Sequence, residues 1–126
     1  MLKSLLEENK HNNKVLNRLL FGIVGFARLE FIEGNLDQSA EIISKYIQTS
    51  KDLWLSDKSN ISWLNNYANF VLVDAEIAAI HLEIRKANQS MDEFLKLREI
   101  ASSGSKNEPM FFKKLEPRLE NLRRKL

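Results

Sequence analysis

Apolar residues return every three to four positions along most of this chain, and this spacing constrains its fold more than any other feature. In the first such stretch, from about Lys14 to Glu33, the apolar residues fall on one side of a helix. They are Leu16, Leu19, Leu20, Ile23, Val24, Ala27 and Phe31. Leu, Glu, Lys, Asn and Ala are common, whereas Gly (4) and Pro (2) are scarce. Spacing and composition together predict an all-α fold.

A first helical hairpin is predicted over residues 14–55. Gly34 is suited to the left-handed position at the end of a helix. Asn35 follows at once as a candidate N-cap, and Gln38 holds the capping-box position three residues later. A turn this short places the two helices antiparallel to each other.

Gly22 and Gly25 lie inside the first helix. Each costs about 1 kcal/mol relative to Ala in a soluble helix, so we expect them to admit a neighbouring backbone at close range. A phosphate-binding loop is excluded, because no strand precedes the pair.

A second hairpin is predicted over residues 61–101. Its first helix extends from about Ile61 to Ala87 and is apolar on most of its circumference, so we expect it to be central. Polar residues after Ala87 interrupt the pattern, and Ser90–Glu93 form a capping box. The last helix of this hairpin then continues to Ala101.

The remaining chain is predicted to be a linker, 102–109, and a basic amphipathic helix, 110–126, with a fresh turn beginning at Pro117. Residues 1–126 are therefore expected to form a single helical domain. Two antiparallel hairpins and a C-terminal helix describe either an α-solenoid fragment or a helical bundle.

Charge and hydropathy favour a soluble cytoplasmic protein. The longest apolar stretch, Leu19 to Ala27, is too short to cross a bilayer. The N-terminus is acidic where a signal peptide is basic. The absence of cysteine excludes disulfides and fits a reducing compartment.

The segment from Phe26 to Ala40 resembles the middle of a tetratricopeptide repeat. The turn glycine and the small or aliphatic residues that the family places around it are matched by Ala27, Gly34, Asn35, Leu36 and Ser39. The order of elements from Lys14 to Ala101 is also similar to the degenerate repeats that end large bacterial transcriptional regulators. The resemblance implies a protein-interaction scaffold, and possible membership of a longer regulator.

Three departures from the family accompany this resemblance. Tyr46 occupies a position where the family has alanine, and no proline closes the repeat. The predicted second turn, at Ser90, follows Asn35 by 55 residues (35 to 90), whereas a regular array repeats every 34.

Catalysis is not expected. His81 has no partner at a catalytic or metal-ligand spacing, and we interpret it as a hydrogen-bonded residue at a helix interface. His11 lies in a polar stretch and is interpreted as structural. Neither a cofactor nor a metal is predicted.

Binding of another protein is the favoured function, through a groove between the first and third helices or the edge near the two tryptophans. The candidate contacts combine aromatic anchors with arginines among apolar neighbours. They are Arg28, Trp54, Trp63, Tyr67 and Arg85. The aromatic members have a competing interpretation, in which they attach the polar loop 55–60 to the core.

Two alternatives remain open. A nucleic-acid-associated protein would use the cations of the C-terminal helix. They are Lys113, Lys114, Arg118, Arg123, Arg124 and Lys125. Cations are also favoured near a helix C-terminus by the helix dipole, so a solvated basic face explains the same residues. Self-association through apolar surface on the third helix is the other alternative.

Overall fold

A computed structural model describes Leu5, Glu7, Glu8 and residues 12–103 and 109–126. Within that part of the chain there are five α-helices and no strand, which confirms the all-α fold. The helices are α1 (Asn13–Ile32), α2 (Leu36–Ser56), α3 (Ile61–Ile80), α4 (Ile84–Ser102) and α5 (Met110–Lys125).

The chain divides into two compact units, Met1–Tyr67 and Ala68–Leu126, and the boundary falls inside α3. Unit 1 contains α1, α2 and the beginning of α3. Unit 2 contains the rest of α3 together with α4 and α5. The single domain expected over residues 1–126 stays a prediction.

In unit 1, α1 and α2 pack against each other as the predicted hairpin. Leu20, Val24 and Ala27 of α1 are fully buried, as are Ile43 and Ser39 of α2. The Ser39 hydroxyl donates a hydrogen bond of 2.7 Å to the Ala27 carbonyl oxygen. Because both residues are small, the two helices approach closely at this point.

Asn17 attaches α1 to the first turns of α3. The Asn66 amide donates to the Asn17 side-chain oxygen at 2.6 Å, and the Asn17 amide donates to the Ser62 hydroxyl at 3.0 Å. These side-chain bonds add to the apolar contacts of unit 1 and orient the start of α3.

The turn between α1 and α2 is a Schellman motif centred on Gly34. Gly34 has φ 87°, its N–H donates to the Phe31 carbonyl, and the Asn35 N–H donates to that of Glu30. Asn35 is the N-cap residue of α2, as predicted, but its side chain makes no capping bond, so the predicted capping box is wrong. Instead its amide donates to the Glu30 carboxylate at 3.0 Å.

The second turn lies earlier in the chain than predicted. Helix α3 ends at Ile80 rather than Ala87, and α4 begins at Ile84 rather than near Ser90. The predicted capping box at Ser90–Glu93 is wrong, since Ser90 lies within α4 and its hydroxyl donates to Asp74 at 3.0 Å. The turn between α3 and α4 contains neither glycine nor proline. The sequence pattern therefore predicted the turn at the polar residues that follow Ala87.

Leu82 occupies in the second turn the place that Gly34 occupies in the first. It has φ 59°, its N–H donates to the Ala79 carbonyl, and the Glu83 N–H donates to that of Ala78. The two turns therefore share one motif and lie 48 residues apart (34 to 82), not 55.

The core of unit 2 is formed by apolar side chains from α3, α4 and α5. Phe94 and Phe112 meet with ring centroids 5.5 Å apart. Phe70, Leu72, Leu97 and Leu119 are also buried.

The predicted linker lies partly beyond the described structure, since residues 104–108 are outside it. Helix α5 continues from Met110 to Lys125 through Pro117, so the predicted fresh turn does not interrupt it.

Candidate interaction surfaces

Two of the predicted partner contacts, Trp54 and Tyr67, belong to the core of unit 1. Their side chains are buried, and their rings stack with centroids 5.6 Å apart and planes 16° from parallel. The Lys58 ammonium lies 5.8 Å from the centre of the Trp54 ring. Burial removes these two aromatic residues from any contact surface, and it matches the competing interpretation that they attach the loop to the core.

The other predicted contacts do not converge on one site. Trp63 on α3 and Arg28 on α1 are half-buried in unit 1. Arg85 is exposed on α4 and belongs to unit 2. Some of the five predicted contact residues are therefore buried and others exposed, and they are distributed over both units.

The largest exposed apolar side chains of unit 1 lie on α1, on the side away from its buried stripe. Phe21 is 68% exposed, Ile32 63%, Leu29 49% and Phe26 48%. Together with Gly22 and Gly25 they form what we call the α1 apolar face. Contiguous apolar surface of this kind is typical of a site that binds another molecule.

Gly22 and Gly25 lie on the exposed side of α1, and no other described part of the chain packs against them. A Cβ atom added at either glycine would meet none of the described residues within 4 Å. The prediction that a neighbouring backbone approaches them is therefore wrong for the described part of this chain. The two glycines leave a shallow depression beside Phe21, Phe26 and Leu29.

A surface cavity of about 180 Å³ lies between α1 and α2, next to this face. Its lining is mainly apolar and includes two charged residues. The residues are Ile23, Phe26, Gln38, Glu41, Ile42, Lys45 and Tyr46. Pockets for small ligands usually measure about 300–1,000 Å³, so this cavity suits a single side chain of a partner better than a separate molecule.

In unit 2, Arg118 is a structural residue rather than a surface cation. Its guanidinium makes a bidentate ion pair with Glu76 on α3, with Nε 3.3 Å from Oε2 and Nη2 bonded to Oε1. Nη1 also donates to the Asn69 side-chain oxygen at 3.3 Å. The Arg118 side chain is only 16% exposed and that of Glu76 10%. Arg118 therefore joins α5 to α3 and is removed from the candidate nucleic-acid contacts.

Arg123 is partly neutralised by carboxylates on its own helix, with Nη1 2.9 Å from Glu120 and 3.8 Å from Glu116. Glu116 in turn accepts a hydrogen bond of 3.2 Å from Arg98 on α4. The exposed cations that remain on α5 are Lys113, Lys114, Arg124 and Lys125. We call these four the α5 basic face.

The histidine prediction is corrected by the position of the second turn. His81 lies in that exposed turn and not at a buried interface, with its Nδ1 3.8 Å from a Glu83 oxygen. His11 lies outside the described residues.

Among the described residues, no three His, Asp or Glu side chains are grouped as metal ligands. Nor does any described helix combine the length and hydropathy required to span a bilayer.

Comparison of this chain with protein-family models, with curated proteins and with solved structures gives no match. The resemblance to tetratricopeptide repeats therefore stays a prediction.

The α1 apolar face was missed by the sequence analysis, although a signal for it exists. Phe21, Phe26, Leu29 and Ile32 lie outside the predicted buried stripe, so α1 is apolar on two sides. A helix that is apolar on two sides is covered on more than one side. The third helix, which was predicted to be central because it is apolar on most sides, is indeed mostly buried. Helix α1 instead has a long exposed apolar face.

Proposed function

We propose that this chain is a non-catalytic protein-interaction module and that the α1 apolar face is its main contact surface. The observation that carries the proposal is the row of four large apolar side chains, each about half exposed or more, on one face of one helix. Such surface is unfavourable in water, and its burial by a partner contributes about 25 cal/mol per Å². The cavity beside Phe26 extends the surface and suits an apolar side chain of that partner.

A scaffold role in the cytoplasm, as part of a regulatory assembly, is the setting that we propose. The repeated turn supports a relationship to tetratricopeptide hairpins. Gly34 and Leu82 both have positive φ, and the residues that follow them, Asn35 and Glu83, have nearly equal dihedral angles (φ −84°, ψ 67° and φ −85°, ψ 71°). Tandem hairpins of this kind bind proteins by stacking and exposing helix faces.

Site-specific photo-crosslinking in living cells tests the proposal. A photoreactive phenylalanine analogue replaces Phe21, which is exposed enough to accept it. The expected result is a discrete set of protein adducts at position 21. The matched control carries the same analogue at Lys113, which is exposed on α5. Adducts of equal yield at both positions, or none at position 21, contradict a protein contact on α1.

A nucleic-acid contact is the second candidate, and the α5 basic face favours it. If the four exposed cations each neutralise a phosphate, the logarithm of the binding constant falls with the logarithm of salt concentration with a slope of roughly −3 to −4. Replacing all four with glutamine removes this binding, which is measured by fluorescence anisotropy on an RNA or DNA oligomer. Binding that survives the replacement rules out this face.

A further inference from the structure

The α1 apolar face has the spacing of a helix-pairing seam and opposite charges at its two ends. Arg18, Gly22, Gly25, Leu29 and Ile32 are all exposed and are separated alternately by four and three positions. This is the spacing with which two long helices pack along each other. Arg18 lies near one end of the seam, and the exposed residue Glu33 lies at the other.

We propose that a second copy of this chain occupies the α1 apolar face, with the two α1 helices antiparallel about a two-fold axis between Gly25 and Phe26. The proposal rests on the proposed function and specifies its partner. In this register Arg18 faces Glu33 of the second copy, Gly22 faces Leu29, and Gly25 faces Phe26. Two-fold symmetry makes each of these pairs occur twice.

The pairing is complementary in shape near the two-fold axis, because Phe26 and Leu29 each meet a glycine. Leu29 and Phe26 of one copy fill the space that Gly22 and Gly25 leave on the other. Both glycines have that space open within their own chain. Close approach of two helices depends on small side chains at the contact, and here both copies supply them.

Charge selects the antiparallel orientation. A parallel pair would place Arg18 beside the same residue of the second copy and Glu33 beside its own counterpart. The antiparallel pair joins unlike charges at both ends and sets the two helix dipoles in opposition.

The exposed area indicates a weak, reversible dimer. If a large apolar side chain presents about 150–250 Å², the four side chains expose on the order of 400 Å² on each copy. A standard stable interface buries about 800 Å² on each partner, so we expect a weak dimer in reversible equilibrium with the monomer.

Sedimentation equilibrium of the full chain, from about 1 to 200 µM, tests the dimer by mass action. Arg18→Glu and Glu33→Arg each place like charges in contact twice and should weaken the dimer about tenfold. The double variant, Arg18→Glu with Glu33→Arg, should restore the original constant. Lys96→Glu, at an exposed position on α4, is the matched control and should change nothing. A chain that stays monomeric throughout, or a dimer indifferent to the single charge reversals, overturns the proposal.

Gly22→Gln separates pairing from folding. The new side chain meets nothing in its own chain and replaces a poor helix former, so the monomer should melt at a higher temperature. The same side chain fills the depression that receives Leu29 of the second copy, so the dimer should weaken at least tenfold. A Gly22→Gln dimer of unchanged strength contradicts the register.

Failure of this inference is distinguishable from failure of the proposed function. A monomeric chain whose position 21 crosslinks to a different protein overturns self-association and supports the broader function. A chain that neither dimerises nor yields adducts at position 21 overturns both.

Discussion

Leu82 has a backbone conformation that a branched side chain rarely adopts. Its φ of 59° lies in the left-handed region, and its side chain is 79% exposed. The hydrogen bonds of the Schellman motif at Ala78 and Ala79 hold it there. The conformation costs about 1–2 kcal/mol for an L-residue with a Cβ, and no buried contact of comparable size offsets this cost.

Leu82→Gly should therefore raise the free energy of unfolding. Relief of about 1–2 kcal/mol of strain is opposed by about 0.4–1 kcal/mol of additional chain entropy in the unfolded state, which leaves a gain of roughly 0.5–1 kcal/mol. Urea denaturation followed by circular dichroism measures it. Leu82→Ala is the control: it removes the exposed apolar side chain, keeps the strain and should change stability little. A stabilising Leu82→Ala would contradict the backbone explanation.

Gly34→Ala tests the same motif in the opposite direction. Gly34 has φ 87°, and there is open space around it, so any effect of a Cβ comes from backbone strain and not from a clash. We expect a loss of about 1 kcal/mol or more in the free energy of unfolding. Gly22→Ala, at an open helical position without positive φ, should instead gain up to about 1 kcal/mol. Equal effects at the two glycines would be inconsistent with this account.

Among the helices, the attachment of α5 to α3 depends on the ion pair between Arg118 and Glu76. Both side chains are mostly shielded from water, and Asn69 accepts a further hydrogen bond from the same guanidinium. A buried ion pair of this kind adds little to the free energy of unfolding beyond what packed apolar residues would provide. Removing one member is costly, because it removes the charge that neutralises the other inside the protein.

Arg118→Met should lower the free energy of unfolding by about 3 kcal/mol, near the low end for a broken buried pair because both groups keep some exposure. Adding Glu76→Leu removes the carboxylate that Arg118 neutralised and should recover most of the loss. Lys114→Met, an exposed cation on the same helix, should stay within about 0.5 kcal/mol of the original. Chemical denaturation of the three variants measures these differences. Identical losses for Arg118→Met and Lys114→Met would show that the pair is unimportant.

At the scale of the whole molecule, α5 is part of a core and not an appended basic tail. Phe112, Leu115, Leu119 and Leu122 are all buried, and Phe112 meets Phe94 of α4. Burying one such side chain contributes about 1.5–3 kcal/mol, and a domain is stable by only about 5–15 kcal/mol in total. A nucleic-acid test that deletes residues 110–126 would therefore remove core as well as charge.

Deletion of residues 110–126 should unfold or loosen unit 2, with loss of a cooperative melting transition and increased binding of a hydrophobic dye. Neutralising the four cations of the α5 basic face with glutamine should leave the melting temperature nearly unchanged, because those side chains are exposed. Differential scanning calorimetry with dye fluorescence compares the two. A cooperative transition preserved in the deleted chain would refute the role of α5 in the core.

Signals between neighbouring residues were enough to predict the helices and their inward faces. Helical spacing identified Leu20, Val24 and Ala27 as buried, and Gly34 identified the first turn, because both signals act between neighbours in the chain. The position of the second turn was not predicted, because leucine has no preference for the left-handed conformation that Leu82 adopts. The surrounding structure imposes that conformation.

Which outward side chains meet another part of the chain depends on the fold and could not be read from helical spacing. Arg118 and Lys114 look alike in sequence, yet the fold pairs one with Glu76 and leaves the other in water. Trp54 and Phe21 are both large aromatic residues, and the fold buries the first and exposes the second. Burial depends on residues far apart in the chain, and for that reason the candidate site emerged from α1 and not from the tryptophans.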